Sequence, residues 1–296
     1  MMARCWLASL LCSAVFLGCS SPAALPPKAI QLNLAGAQAL AIGDLSTAEA
    51  RLSVALEYNS RFVEAWVNLG YVELRRGNFE QARHDFDRAL DLNQDLPAPH
   101  HALGLLADRE GRGAEAEEQY RAALRVDPGF APARANLARR LFARGQYENA
   151  REQFQRLLEV DPNEIEGWVG EAETLLQLGR EAEAEELVAR ARSRFGEAPA
   201  LLLLVARQAL VRGEWADAEA LLAPLVGLRD RARAGAAWAW MAIARVGRGD
   251  GDGASQAARA ALAIDPEDRV AIYALQRLPR GVTANPPGPQ KLAERH

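Results

Sequence analysis

A period of 34 residues runs through most of this chain and constrains its fold more than any other feature. Three residue series share that spacing: a glycine, a small alanine five residues later, and an apolar residue four residues after the alanine. The glycines are Gly43, Gly77, Gly111, Gly145, Gly179 and Gly213. The alanines are Ala48, Ala82, Ala116, Ala150, Ala184 and Ala218, and the apolar residues are Leu52, Phe86, Tyr120, Phe154, Val188 and Leu222. Such phasing indicates stacked repeats, each too small to fold alone.

The period lengthens once, to 36 residues, before Gly249, Ala254 and Ala258. An alanine-, leucine-, arginine- and glutamate-rich composition favours helices throughout, and prolines near the repeat ends stop them. We therefore predict seven helix-turn-helix repeats at 29–62, 63–96, 97–130, 131–164, 165–198, 199–234 and 235–268. One further helix at 269–278 is predicted to cover the last repeat, and the proline-rich tail 279–296 is predicted to be disordered.

The repeat positions resemble the tetratricopeptide consensus W-x2-L-G-x2-Y followed by Gly, Ala, Phe, Ala and Pro. The second repeat carries the resemblance most fully, with Trp66, Leu69, Gly70, Gly77, Phe79, Ala82, Phe86 and Ala89. The resemblance implies an all-α, right-handed superhelical solenoid with a capping helix and a concave groove that binds proteins or peptides. In such repeats Gly70 and Ala138 let the partner helix approach closely.

All three cysteines lie in the first nineteen residues. Arg4 precedes an apolar run too short to span a membrane stably, and Phe16-Leu17-Gly18-Cys19 resembles a bacterial lipobox, which usually has Leu where Phe16 stands. This resemblance implies a signal peptide at 1–18, an acylated Cys19, and a lipidated N-terminus with a proline-rich tether at 19–28. Ser20, where an Asp would favour the inner membrane, predicts an outer-membrane anchor facing the periplasm. An ordinary signal peptide and an uncleaved anchor remain alternatives.

Little in the sequence suggests chemistry. The net charge of -4 does not suit a nucleic-acid protein. His100 and His101 are adjacent, so on a helix they diverge by about 100° and make a poor metal site. The glycine-rich stretch 247–253 fits a polar turn better than a calcium loop or a phosphate-binding loop. We predict no catalytic residues, no metal and no cofactor.

The resemblance places a ligand against the first helices of the repeats. It implies a groove in repeats two to five, and the nine residues that we predict to line it are Asn68, Tyr71, Arg75, His101, Leu105, Arg109, Asn136, Arg139 and Phe142. Repeat five adds Val169, Glu173 and Gln177. The asparagines could bond a peptide backbone and the arginines could pair with acidic side chains, while Tyr71 and Phe142 could be apolar anchors. Glu64 and Val67 stand where a carboxylate clamp would need basic groups.

A lipidated cysteine, a short tether and consecutive repeats together resemble the pilotin-type outer-membrane lipoproteins of type IV pilus biogenesis. That resemblance implies secretin or pilus assembly subunits as partners. The lipoprotein of the tight-adherence pilus system is a related possibility. The alternative is an envelope adaptor resembling the NlpI-type lipoproteins, which bring peptidoglycan hydrolases and a protease together. An enzyme that recruits substrate through the repeats would need a further domain, and no segment of the chain remains for one.

Overall fold

The structure, a computed structural model, describes residues 25–278, and every regular element in that range is helical. The fifteen α-helices of the described range are α1 (Pro27–Ile42), α2 (Leu45–Tyr58), α3 (Val63–Arg76), α4 (Phe79–Leu92), α5 (Pro97–Arg109), α6 (Gly113–Val126), α7 (Ala131–Ala143), α8 (Tyr147–Val160), α9 (Ile165–Gln177), α10 (Glu181–Phe195), α11 (Pro199–Arg212), α12 (Trp215–Leu222), α13 (Arg231–Arg248), α14 (Gly251–Leu262) and α15 (Arg269–Arg277). The predicted all-α class is confirmed.

The helices stack as antiparallel pairs, so the prediction of helix-turn-helix repeats is also confirmed. The described chain divides after Asn93 into two compact parts. In the N-terminal part, α1 packs on α2, α2 on α3, and α3 on α4. In the C-terminal part the pairs run from α5 and α6 to α13 and α14, and α15 packs against both helices of the last pair.

Glycines end the first helices in the left-handed backbone region, as the 34-residue series predicts. The six periodic glycines and Gly249 have φ between 72° and 86°. At Gly77, for example, the backbone N–H reaches the carbonyl oxygens of Glu73 and Leu74, which satisfies groups left open at the helix end. A side chain at such a φ would be strained, so glycine is needed there.

The alanine and large-residue series form the core between the two helices of each pair. All six alanines of the series are fully buried, and so are Leu52, Phe86, Tyr120 and Leu222. A Cβ built on Gly70 would lie 2.7 Å from the Phe86 ring, and one on Gly104 would lie 2.5 Å from Tyr120. These glycines therefore admit the aromatic ring of the second helix.

Two helix starts differ from the predicted repeat boundaries. Helix α1 begins at Pro27, inside the segment assigned to the tether, because proline suits the first position of a helix. Helix α13 begins at Arg231, four residues before the predicted seventh repeat, and is 18 residues long. Asp230 caps it by accepting hydrogen bonds from the N–H groups of Ala232 and Arg233 at 3.1 and 3.2 Å. The longer helix and the 3-10 turn Ala223–Leu225 lie where the period lengthens.

The first turn of α13 also carries an ion pair that passes over one helix pair. Arg233 Nη2 lies 3.3 Å from Glu166 Oε1 in the first turn of α9. Both side chains are more than two-fifths exposed. Two repeats that are not consecutive are therefore joined directly.

Several sequence-based predictions fall outside the described residues. These are the signal peptide at 1–18, the acylated Cys19 with most of the tether, and the tail 279–296. Within residues 25–278, no helix is both long and apolar enough to cross a membrane.

Candidate functional site

Three of the predicted groove residues lie on α3, in the N-terminal part, and they contact the chain itself. Asn68 Nδ2 donates a hydrogen bond of 2.9 Å to Asn33 Oδ1 on α1. The Arg75 guanidinium donates to the Leu40 carbonyl oxygen. Tyr71 is partly buried, and burial raises the pKa of its phenol. Asn68 and Arg75 thus join α3 to α1.

A hydrogen-bonded chain joins three more predicted residues on α5 and α7. Asn136 Nδ2 donates to His101 Nε2 at 2.7 Å, and Arg139 Nη2 donates to Asn136 Oδ1 at 2.6 Å. The imidazole of His101 also packs edge-on against Phe130, with ring centroids 5.7 Å apart. We call this series Arg139–Asn136–His101 the polar chain.

The polar chain requires a neutral imidazole. Burial and, to a smaller extent, the positive charge of Arg139 lower the pKa of His101 from 6.5 to about 4. At neutral pH the Nε2 atom is therefore an unprotonated acceptor for Asn136. Protonation would place an N–H against the Asn136 amide and break the hydrogen bond.

The last three predicted residues have different surroundings. Leu105 packs against the apolar cluster around α5 to α8, and Arg109 is exposed at the end of α5. The Phe142 ring lies edge-on to Tyr147, with centroids 5.4 Å apart. Phe142 also lines a cavity. Of the nine predicted residues, only Phe142 lines one of the described cavities.

The cavity lies between α9 and α11, towards the C-terminal ends of both helices, and has a volume of about 90 Å³. It thus belongs to repeats four to six, and it overlaps the end of the predicted groove at Phe142, Glu173 and Gln177. Its lining is Phe142, Glu173, Leu176, Gln177, Glu181, Glu185, Leu204, Arg207, Gln208, Val211 and Arg212. We call it the α9–α11 cavity.

The charged groups of the α9–α11 cavity are mostly paired with one another. Arg207 contacts the Glu173 carboxylate, and Arg212 Nη2 lies 2.5 Å from Glu185 Oε1. Glu181 is exposed and has no ion-pair partner within residues 25–278. The lining therefore has one carboxylate more than it has guanidinium groups.

Gln208 is the one buried amide of this lining. Its side chain lies on α11, only 9% of the residue is exposed, and Nε2 has no hydrogen-bond partner within the described part of the chain. Most buried polar groups in proteins are hydrogen-bonded. An unpaired amide beside a cavity therefore indicates a place where a ligand could supply an acceptor.

Sequence reasoning missed Leu204, Arg207, Gln208 and Val211 because the predicted groove stopped at repeat five. It also counted only groove-facing positions, and Gln208 lies one residue after such a position. The available signal was Gln208, which stands in the mainly apolar run 201–211. A core position seldom holds an amide.

The arrangement suits binding. Within residues 25–278 no three His, Cys, Asp or Glu side chains gather as metal ligands. The cavity combines apolar walls, an unpaired amide and an unpaired carboxylate. Those groups can hold a side chain, a carbonyl oxygen and a cation.

The comparisons with known proteins identify the repeat. Two family models described as tetratricopeptide repeat match the chain, one at residues 109–168 and 141–208 and the other at residues 61–129. No curated protein sequence matches it.

Solved structures resemble the chain over most of its length. A tetratricopeptide repeat protein from Parabacteroides merdae has a TM-score of 0.68 at 17% identity and covers 86% of this chain and 99% of its own. PilF of Pseudomonas aeruginosa has a TM-score of 0.55 at 21% identity and covers 71% of this chain and 95% of its own. At these identities the likeness is one of fold.

Proposed function

The chain belongs to the tetratricopeptide repeat proteins and is a protein-binding scaffold, and we propose that it works in the cell envelope, anchored through a lipid on Cys19. We further propose that it assists the assembly of a secretin or type IV pilus complex in the outer membrane. Repeats of this kind are typically non-catalytic, which agrees with the binding character of the α9–α11 cavity.

One observation carries the proposal: a lipobox-like segment ends eight residues before helices that continue, pair after pair, to residue 277. The chain has the same two-part plan as the pilotin-type lipoproteins described above. The fold similarity to PilF extends over 95% of that protein, which supports the comparison without assigning a partner.

The strength of the proposed lipid anchor and the shortness of the tether support a location at the membrane surface. Each buried methylene of an acyl chain contributes about 0.8 kcal/mol to membrane binding, so two or three chains hold a protein firmly. From Cys19 to the start of α1 the tether has eight residues. At about 3.5 Å per residue it reaches at most about 28 Å, which keeps the repeats close to the membrane surface.

Metabolic labelling with a radioactive fatty acid tests the anchor. We expect label on the wild-type chain and none on Cys19→Ala, with Cys12→Ala as the matched control that keeps its label. Cys19→Ala should also leave the membrane fraction. Label on Cys19→Ala would contradict the anchor.

A deletion strain tests the pilus role. We expect it to lose assembled secretin rings in the outer membrane and to regain them with the wild-type gene but not with Cys19→Ala. Crosslinking from membranes followed by mass spectrometry should then recover a secretin subunit. Intact secretin rings together with altered cell shape would contradict the pilus role and favour the envelope adaptor.

A further inference from the structure

The α9–α11 cavity has an apolar interior that a ligand side chain can enter. Leu176, Leu204 and Phe142 contribute to its walls, and Val211 at its edge keeps 46% of its surface exposed. An engineered apolar cavity of about 150 Å³ binds benzene. A volume of about 90 Å³ suits an aliphatic side chain such as leucine better than an aromatic ring.

Gln208 adds a requirement for an acceptor. Its amide is nine-tenths buried, and its Nε2 atom has no partner within residues 25–278. A side chain inserted between α9 and α11 brings its own main chain to the cavity mouth. A main-chain carbonyl oxygen there could accept the Gln208 hydrogen bond.

The charges around the cavity distinguish between ligands. Arg207 and Arg212 are each paired with a carboxylate, so an anionic ligand would have to compete with Glu173 and Glu185 for both cations of the lining; of Arg207, the buried Nε atom has no hydrogen-bond partner within residues 25–278. A cationic ligand meets Glu181, which is exposed and unpaired among the described residues. The lining holds the carboxylates of Glu173, Glu181 and Glu185 against two guanidinium groups.

We propose that the α9–α11 cavity binds an aliphatic side chain of a partner polypeptide that carries a lysine or arginine beside it, with a main-chain carbonyl oxygen bound to Gln208. The inference rests on the proposed function as a protein-binding scaffold and adds the chemistry of the bound segment. It differs from the sequence-based expectation of an acidic partner, which depended on arginines of other repeats.

Peptide titration of the purified full chain tests the proposal. The probes are three short Gly/Ser peptides that differ only at their centre, which reads Lys-Leu, Glu-Leu or Lys-Ser. Methyl NMR spectra of the leucine- and valine-labelled chain report where they bind. We expect Lys-Leu to shift the methyl signals of Leu176, Leu204 and Val211. Glu-Leu and Lys-Ser should bind about tenfold more weakly, a difference of about 1.4 kcal/mol.

Two cavity variants and one control sharpen the test. Gln208→Met and Glu181→Lys should each weaken Lys-Leu binding about tenfold. Val160→Ser, at a residue 47% exposed on α8 outside the cavity lining, should bind as wild type does. Thermal unfolding checks that Gln208→Met remains folded, and Glu181→Lys changes only an exposed side chain.

Three results of the peptide titrations would overturn the proposal: equal affinity for Glu-Leu, shifts confined to other methyl groups, or unchanged affinity in both cavity variants. Self-association that Val211→Ser abolishes would assign the cavity to a second copy of the chain and would also overturn it.

The proposed pilus role and the proposed cavity ligand can be rejected independently of each other. A strain carrying Gln208→Met and Glu181→Lys with normal secretin rings, beside a deletion strain without rings, would reject the cavity and retain the proposed function. Selective Lys-Leu binding together with intact rings in the deletion strain would do the reverse.

Discussion

Two sites in the C-terminal part differ in how far their polar groups are hydrogen-bonded. Between α5 and α7, the polar chain uses Arg139, Asn136 and His101 to satisfy one another. Between α9 and α11, the Gln208 amide lies beside a cavity, and its Nε2 atom has no hydrogen-bond partner within residues 25–278. Both places involve the first helices of successive repeats, so the repeat alone does not decide which arrangement occurs.

The difference separates a surface built for stability from one available to a ligand. A ligand at the polar chain would have to replace hydrogen bonds that already exist, so it would gain little. A ligand at the α9–α11 cavity would supply a missing bond and cover exposed apolar surface. Local departures from satisfied packing often mark functional sites.

The largest effect is expected when the pH is lowered, because acid should break the polar chain. The folded-state pKa of His101, about 4, lies below its ordinary value of 6.5. The stabilisation by the neutral imidazole is therefore complete above pH 6.5 and is lost as the pH falls towards 4. This difference in pKa corresponds to about 3 kcal/mol of free energy of unfolding. Urea unfolding between pH 7 and pH 4 should show a shallower loss in His101→Gln, and identical pH profiles would contradict the assignment.

Removing the centre of the polar chain should have the next largest effect. Asn136→Ala deletes two hydrogen bonds and leaves His101 Nε2 without a donor, so we expect a loss of about 2 kcal/mol in the free energy of unfolding. The control is Asn149→Ala, an exposed position on α8, where we expect less than about 0.5 kcal/mol. Equal urea midpoints for the two variants would show that the polar chain adds nothing to stability.

The matching change at the cavity should act in the other direction. Gln208→Met keeps the side-chain length and removes a buried amide nitrogen that has no partner in the described part of the chain, so the free energy of unfolding should rise by about 1 kcal/mol. The same urea experiment measures it. A fall of that size would mean that the Gln208 amide is hydrogen-bonded in solution, and the contrast between the two places would then be lost.

The smallest effect is expected at the rim of the cavity. Arg212→Ala breaks an ion pair whose side chains are 48% and 59% exposed. Exposed pairs contribute little because water and salt screen them, so the free energy of unfolding should change by less than about 0.5 kcal/mol. A larger loss at low salt would indicate that the pair also holds α11 against α10.

Much of the fold could be predicted from local sequence rules. The glycine at each turn, the small alanine and the large apolar residue of each pair follow from a single spacing, and Gly77 and Phe86 occupy the predicted places. The early start of α13 could not be predicted this way, because the lengthened period shows only that residues were added, not which helix gains them.

The candidate site was harder to predict, because its properties depend on pairings between repeats. Asn136 and His101 are 35 residues apart, as are Asn68 and Asn33, so facing side chains on successive first helices advance by one residue per repeat. A search for polar pairs at that separation could have found the polar chain. Gln208 Nε2 has no partner among residues 25–278, and this depends on the positions of all the surrounding side chains, which no sequence spacing gives.

The ion pair between Arg233 and Glu166 has a mechanical consequence. In a repeat array that touches only its neighbours, tension is passed from one unit to the next, and each interface yields separately. The pair connects α13 directly to α9, so α9, α11 and α13 form a closed link instead of an open series. Prising α9 away from α11 would then also stretch this exposed contact. Salt screens such contacts, so this segment of the array should become more compliant as ionic strength rises.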